Sequence, residues 1–175
     1  MNPIPLLLHS SHRTRYWLLF VFCVVLEAAG LFMQHGLHLN PCPMCILQRY
    51  AFLFVGLSAL AGALHAQFGQ PGRWALVLWW ALALVFCLAG LGVAAWQSWI
   101  QWYPPSTSSC GPDAFEMIGE LPFSEILPMM FQGTGSCEAV EWSLFGLSIA
   151  NYSFLGFCTI APFAIWGIVR ALRGR

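Results

Sequence analysis

The chain contains no lysine. Its 7 basic residues are all arginines, set against 7 acidic residues, and only 8% of the 175 residues are charged. A soluble domain carries about 25% charged residues, so this composition cannot clothe a globule in water. A basic footprint is also missing. A net charge of zero with only 7 basic residues argues strongly against a nucleic-acid binder, which needs such a footprint. There are no internal repeats and no low-complexity tracts. Apolar residues take the place of charge, at 59% of the total with a mean hydropathy of +0.70, which also excludes a disordered chain. Cysteine is plentiful at 7, and the odd number leaves at least one thiol without a partner in the chain.

Four apolar runs approach the length, about 20 helical residues, that crosses a hydrocarbon core of roughly 30 Å. They are residues 16–33, 46–66, 74–95 and 152–169. The expected architecture is an all-α integral membrane protein, a bundle of four transmembrane helices in one domain spanning residues 1–175. The first run exceeds the apolar core of a signal peptide, about 7–15 residues, and no small-residue cleavage site follows it, so it is read as a retained span. Pro162 interrupts the fourth run, which membrane helices tolerate when neighbours satisfy the freed carbonyl.

Arginine marks cytoplasmic segments of membrane proteins. Arg13 and Arg15 precede the first run, Arg73 lies between the second and third, and Arg170, Arg173 and Arg175 close the chain. In a four-span topology all three segments fall on one side. Residues 96–151 hold no basic residue and carry Asp113, Glu116, Glu120, Glu125, Glu138 and Glu141. Both termini are therefore expected in the cytoplasm, with outer loops at about 34–45 and 96–151. Trp96, Trp99, Trp102 and Tyr103 cluster where the third span leaves the bilayer, as an aromatic belt does.

On this map Cys23, Cys87 and Cys158 fall inside spans and read as packed, protonated thiols. Cys42 and Cys45 sit in the short outer loop, and Cys110 and Cys137 in the long one. The outer side is the oxidising side, where disulfides persist.

Cys42-Pro43-Met44-Cys45 is a C-x-x-C motif just before the second span. Such spacing closes and opens a small disulfide ring, and a helix N-terminus favours the thiolate. Pro43 suits the first helical position, where a missing N–H costs nothing. Arg49 lies four residues after Cys45, on the same helical face, as a permanent cation just inside the membrane boundary. Its fork of donors suits the carbonyl oxygen of a lipid-soluble quinone, although it could instead snorkel to headgroups.

The second pair has a different setting. Cys110 follows Pro104, Pro105 and a run of Ser and Thr, an extended stretch that can lie in a partner's groove. Residues 113–121 read as a short amphipathic helix on the membrane surface, with Ala114, Met117, Ile118 and Leu121 on one face. Gly133, Thr134, Gly135 and Ser136 would free Cys137 to move. An inert structural bridge between Cys110 and Cys137 is the alternative.

Together these features resemble the disulfide-bond formation protein B family (DsbB), bacterial inner-membrane oxidases that recharge a periplasmic thiol oxidase. The resemblance covers essentially the whole chain. It rests on the four spans, the string Cys42-Pro43-Met44-Cys45-Ile46-Leu47-Gln48-Arg49, Tyr103-Pro104 leading to Cys110, and Cys137 closing the long loop. It implies that Cys110/Cys137 take electrons from a reduced thioredoxin-fold thiol oxidase of the DsbA kind. Cys42/Cys45 receive them, and a membrane quinone, ubiquinone or menaquinone, takes them near Arg49. A C-x-x-C pair at a thioredoxin-like potential of about −270 mV would face an uphill step of roughly 7 kcal/mol in oxidising a partner near −120 mV, so the pair must be unusually oxidising or the quinone must drain it. Some members of the family carry a histidine, associated with the quinone, six residues before the Tyr-Pro pair. Here that position is Gln97, which does not titrate near neutral pH, so the role is not carried over.

Glu27, near the middle of the first span, reads as a structural carboxyl or as a relay for protons. His35 and His38 with Cys42 and Cys45 have spacing that can hold zinc, although a zinc site explains neither Arg49 nor the second cysteine pair. Two other readings remain: a reductase of the vitamin-K-epoxide-reductase type, whose C-x-x-C usually lies late in its bundle, and a four-span structural protein with stapled loops.

Overall fold

The computed structural model describes residues 11–69, 72–104, 137–140 and 142–173. Four long helices account for most of them: α1 (His12–Gly36), α2 (Pro43–Phe68), α3 (Arg73–Trp102) and α4 (Ile149–Leu172). A two-residue antiparallel pair, β1 (Ser143–Leu144) with β2 (Leu147–Ser148), precedes α4. The shortest of these helices has 24 residues, about 36 Å of rise, so each is long and apolar enough to cross a bilayer.

Local chemistry sets where the helices begin. Ser11 Oγ accepts from the Thr14 N–H at 3.4 Å to cap α1, and Ser148 Oγ accepts from the Asn151 N–H at 3.4 Å to cap α4. The cap of α2 is Cys42, whose Sγ accepts from the Cys45 N–H at 3.3 Å, with Pro43 in the first turn. The β1–β2 turn uses positive φ at Phe145 (51°) and Gly146 (77°), the twist that two-residue hairpins favour.

α2 packs between α1 and α3, and α3 packs against α4. The core alternates small residues (Ala59, Ala63, Ala83, Ala164) with large rings. Phe52 stacks on Phe157 with centroids 3.9 Å apart, and Tyr16 stacks on Trp80 at 4.4 Å while its hydroxyl donates to the Leu76 carbonyl at 2.6 Å. Glycines make this approach possible. A Cβ on Gly90 would meet the ring of Phe157, and one on Gly167 would meet Trp80. The outward faces are apolar as well, with Phe32 64%, Val85 60% and Val25 59% exposed, a surface suited to lipid.

The bundle has two chemically distinct ends. Arg15 and Arg170 both lie over the Trp166 ring, and the α1 start, α2 end, α3 start and α4 end gather there with Arg13, Arg73 and Arg173. The C-x-x-C motif and Cys137 occupy the opposite end.

All four helices extend past the apolar runs. The largest difference is at α3, which continues to Trp102 because Trp96, Trp99 and Trp102 sit on an exposed face while Gln97, Ser98 and Ile100 are buried on the other. α4 runs unbroken through Pro162. Cys23 and Cys87 are buried, but Cys158 is exposed on the apolar exterior of α4, where lipid and not protein would surround it. The expected amphipathic helix at 113–121, the stretch 133–136 and Cys110 lie outside the described residues.

Candidate functional site

The site is assembled at the junction of the α1–α2 loop, the first two turns of α2 and the last two turns of α3. Cys42 and Cys45 are free thiols. Capping turns the Cys42 side chain back over the first turn of α2, so its Sγ donates to Cys45 Sγ at 2.9 Å. Cys42, outside the helix, holds its proton above the ordinary thiol range because it donates to Cys45 and is buried.

Gln97 is the group that touches both sulfurs. From the buried face of α3 its Nε2 donates to Cys42 Sγ at 3.1 Å and to Cys45 Sγ at 3.3 Å. Its Oε1 accepts from Gln48 Nε2 at 2.6 Å. Both glutamines are almost wholly buried, at 1% and 2% exposure. Sequence reasoning named Gln97 only as standing in place of a histidine and gave it no role, and it missed the pairing with Gln48, although a signal exists: both are uncharged polar residues inside otherwise apolar helices, where a polar group needs a partner.

Arg49 turns toward α1. Its Nη2 donates to the Gly30 carbonyl at 2.8 Å and its Nη1 donates to Gln34 Oε1. This is neither snorkelling nor direct contact with sulfur, since the guanidinium is held against α1. Gly30 is required by this approach, since a Cβ there would lie 3.2 Å from Arg49 Nε. Arg49 and Cys45 border a cleft of about 150 Å³ whose apolar wall includes Leu26, Met33, Phe52 and Trp142. Glu27 lines the same cleft, and its Oε1 is buried with no hydrogen bond.

Cys137 is disulfide-bonded and 1% exposed. It packs in one small cluster with Cys42 and Ile100, with Met44 and Cys45 against it. Gln101 holds this segment to the bundle, donating to the Cys137 carbonyl at 3.5 Å while its Oε1 accepts from Ser148 Oγ at 2.5 Å. Cys42, Cys45, Arg49 and Cys137 are thus brought to one end of the bundle. Among the described residues no group of three or more His, Cys, Asp or Glu side chains is placed to hold a metal ion.

Comparison with known proteins gives a consistent result. The family model described as Disulfide bond formation protein DsbB matches residues 12–167. The Disulfide bond formation protein B of Aromatoleum aromaticum is 46% identical over 164 residues, covering 94% of this chain and 96% of the relative. The protein of that name from an Acidovorax species is 47% identical over 152 residues, covering 87% and 84%. One from an Azoarcus species is 43% identical over 159 residues, covering 91% and 93%.

Proposed function

Since the chain belongs to the DsbB family of disulfide bond formation proteins, we propose that it reoxidises a thioredoxin-fold thiol oxidase of the DsbA kind and delivers the electrons to a membrane quinone. In this reading the membrane is the bacterial inner membrane, the arginine-rich end faces the cytoplasm, and the site faces the periplasm.

The arrangement supports a two-pair relay. The second pair of this relay is Cys110 with Cys137, as the resemblance implies, and Cys137 is a disulfide-bonded cysteine. A thiolate of the reduced partner attacks the Cys110 sulfur, forming a mixed disulfide and releasing the Cys137 thiolate. The partner's second thiol resolves that bond, leaving the partner oxidised and Cys110 reduced. Cys137 attacks the Cys42 side of a Cys42–Cys45 disulfide and releases the Cys45 thiolate. Attack of Cys110 on the Cys137–Cys42 bond then re-forms Cys110–Cys137 and frees Cys42. Two electrons and two protons have moved from the partner to the C-x-x-C pair. Each step exchanges one sulfur–sulfur bond for another, so the outcome is set by the relative stability of the thiolates.

The cleft fits a quinone head. It is apolar, it borders Cys45, and its polar groups include the fixed Arg49 guanidinium and a Glu27 oxygen with no partner. A quinone bound there would accept the two electrons and two protons. Arg49 offers its remaining N–H donors to a carbonyl oxygen, and Phe52, Leu26 and Met33 keep water out. Gly30 and Gln34 hold the guanidinium in place.

The observation that carries the reading is the burial of Cys42 and Cys137 in one cluster beside this cleft. The test mixes the purified protein with a reduced thioredoxin-fold oxidase and ubiquinone or menaquinone and follows quinone absorbance. The expected result is loss of one quinone per partner disulfide formed. Partner oxidation with no quinone consumed would refute it.

A further inference from the structure

We infer that the Gln97 amide, oriented by Gln48, makes the Cys42/Cys45 pair more oxidising by donating hydrogen bonds to both sulfurs of its reduced form. The inference rests on the reading of these cysteines as a redox pair and adds the groups that tune it.

The argument begins with the donor count. One Nε2 reaches both sulfurs, at 3.1 and 3.3 Å, from the adjacent helix α3. Sulfur that carries negative charge is a far better acceptor than disulfide sulfur. The two N–H bonds are therefore stronger in the reduced pair, and stabilising the reduced form raises the reduction potential. An amide turned the other way would present its oxygen to the sulfurs and act in the opposite sense. Gln48 prevents this. Its Nε2 donates to Gln97 Oε1 at 2.6 Å, against a long 3.7 Å contact of that oxygen with Cys45 Sγ, so the short bond holds the oxygen toward Gln48 and leaves Nε2 as the group 3.1 and 3.3 Å from the sulfurs. Both amides are buried to 1–2% exposure, so water does not compete for them.

Arg49 can supply charge but not this contact, because its guanidinium donates to Gly30 and Gln34 on α1. The donor itself does not titrate, since it is a carboxamide. Gln97 touches the reacting sulfurs and is a catalytic residue of the redox step; Gln48 acts through it and is a positioning residue.

The test uses the full-length protein in detergent, without quinone or partner. It is equilibrated in glutathione redox buffers, and the Cys42/Cys45 state is read by alkylation and peptide mass spectrometry. For wild type, the ratio of squared reduced glutathione to oxidised glutathione at half-reduction defines the reference. In Gln97→Leu that ratio should rise about tenfold or more, the worth of a hydrogen bond to a charged group. Gln48→Leu should move it the same way by less, and Gln97→His, which keeps a ring N–H donor, should recover part of the shift. A ratio within twofold of wild type in Gln97→Leu overturns the inference. Should that variant not fold, Gln48→Leu decides by the same criterion, an unchanged ratio again overturning it. A wild-type pair that never forms a reversible Cys42–Cys45 disulfide would instead refute the redox reading itself.

Discussion

Cys137 and Cys42 are packed into the same buried cluster, at 1% and 3% exposure, although 95 positions separate them in the chain (137 − 42). α2 presents Cys42 as its N-cap, and Gln101 on α3 ties the Cys137 backbone to the same end of the bundle. A disulfide requires Cβ atoms within about 4.5 Å, so packing of this kind is a precondition for exchange between the two pairs. In the proposed relay Cys42 would be the receiving sulfur and Cys45 the donor to the acceptor, and both border the cleft.

Replacing Arg49 with Met should raise the apparent KM for quinone about tenfold or more, with a much smaller effect on the rate of partner oxidation in a single turnover. The guanidinium borders the cleft and donates to Gly30 and Gln34 on α1. Steady-state kinetics with varied quinone checks this; an unchanged KM would remove Arg49 from the acceptor site.

Gly30→Val should reproduce much of that defect without touching a polar group. A Cβ at residue 30 would already lie 3.2 Å from Arg49 Nε, and the branches of valine would push the guanidinium off the Gly30 carbonyl. Quinone KM should rise several-fold, and an unchanged KM would contradict the role given to this contact.

Gly90→Ala tests the packing. The added methyl would collide with the Phe157 ring and with Ala51 Cβ, at 2.6 Å in the latter case. Overpacking of this kind costs about 1–3 kcal/mol. Thermal unfolding in detergent should shift down by several degrees, and a shift equal to that of a surface Gly92→Ala control, where nothing lies within 4 Å, would contradict the packing described.

The two ends of the bundle predict the topology. Arg13, Arg15, Arg73, Arg170 and Arg173 lie at one end and the thiol site at the other. A fluorescent protein fused after the last helix should fold and fluoresce in the cytoplasm, and alkaline phosphatase fused at the same point should be inactive. The reverse pair of results would invert the orientation.

Much of this was readable before the structure because its causes are local. Apolar length dictated the four helices, Pro43 and Cys42 marked the start of α2, and the C-x-x-C and Arg49 announced themselves by spacing. The rest depends on how helices face one another. Gln97 is 52 positions from Cys45, and nothing in its neighbourhood states that it will point at sulfur. Arg49 shares a helical face with Cys45, yet its partners come from α1, where a glycine leaves room. The β1–β2 hairpin was unforeseen because two-residue strands leave no periodic trace.

The most direct measurement examines the crossing between the two pairs. Cys45→Ser combined with Cys110→Ser removes both thiols that would resolve a Cys42–Cys137 bond, so that disulfide should accumulate once mild oxidation follows reduction. Peptide mass spectrometry under non-reducing, alkylated conditions should find that linked pair as the dominant species joining the two segments. Finding Cys42 and Cys137 both free, or either joined to another cysteine, would contradict the account.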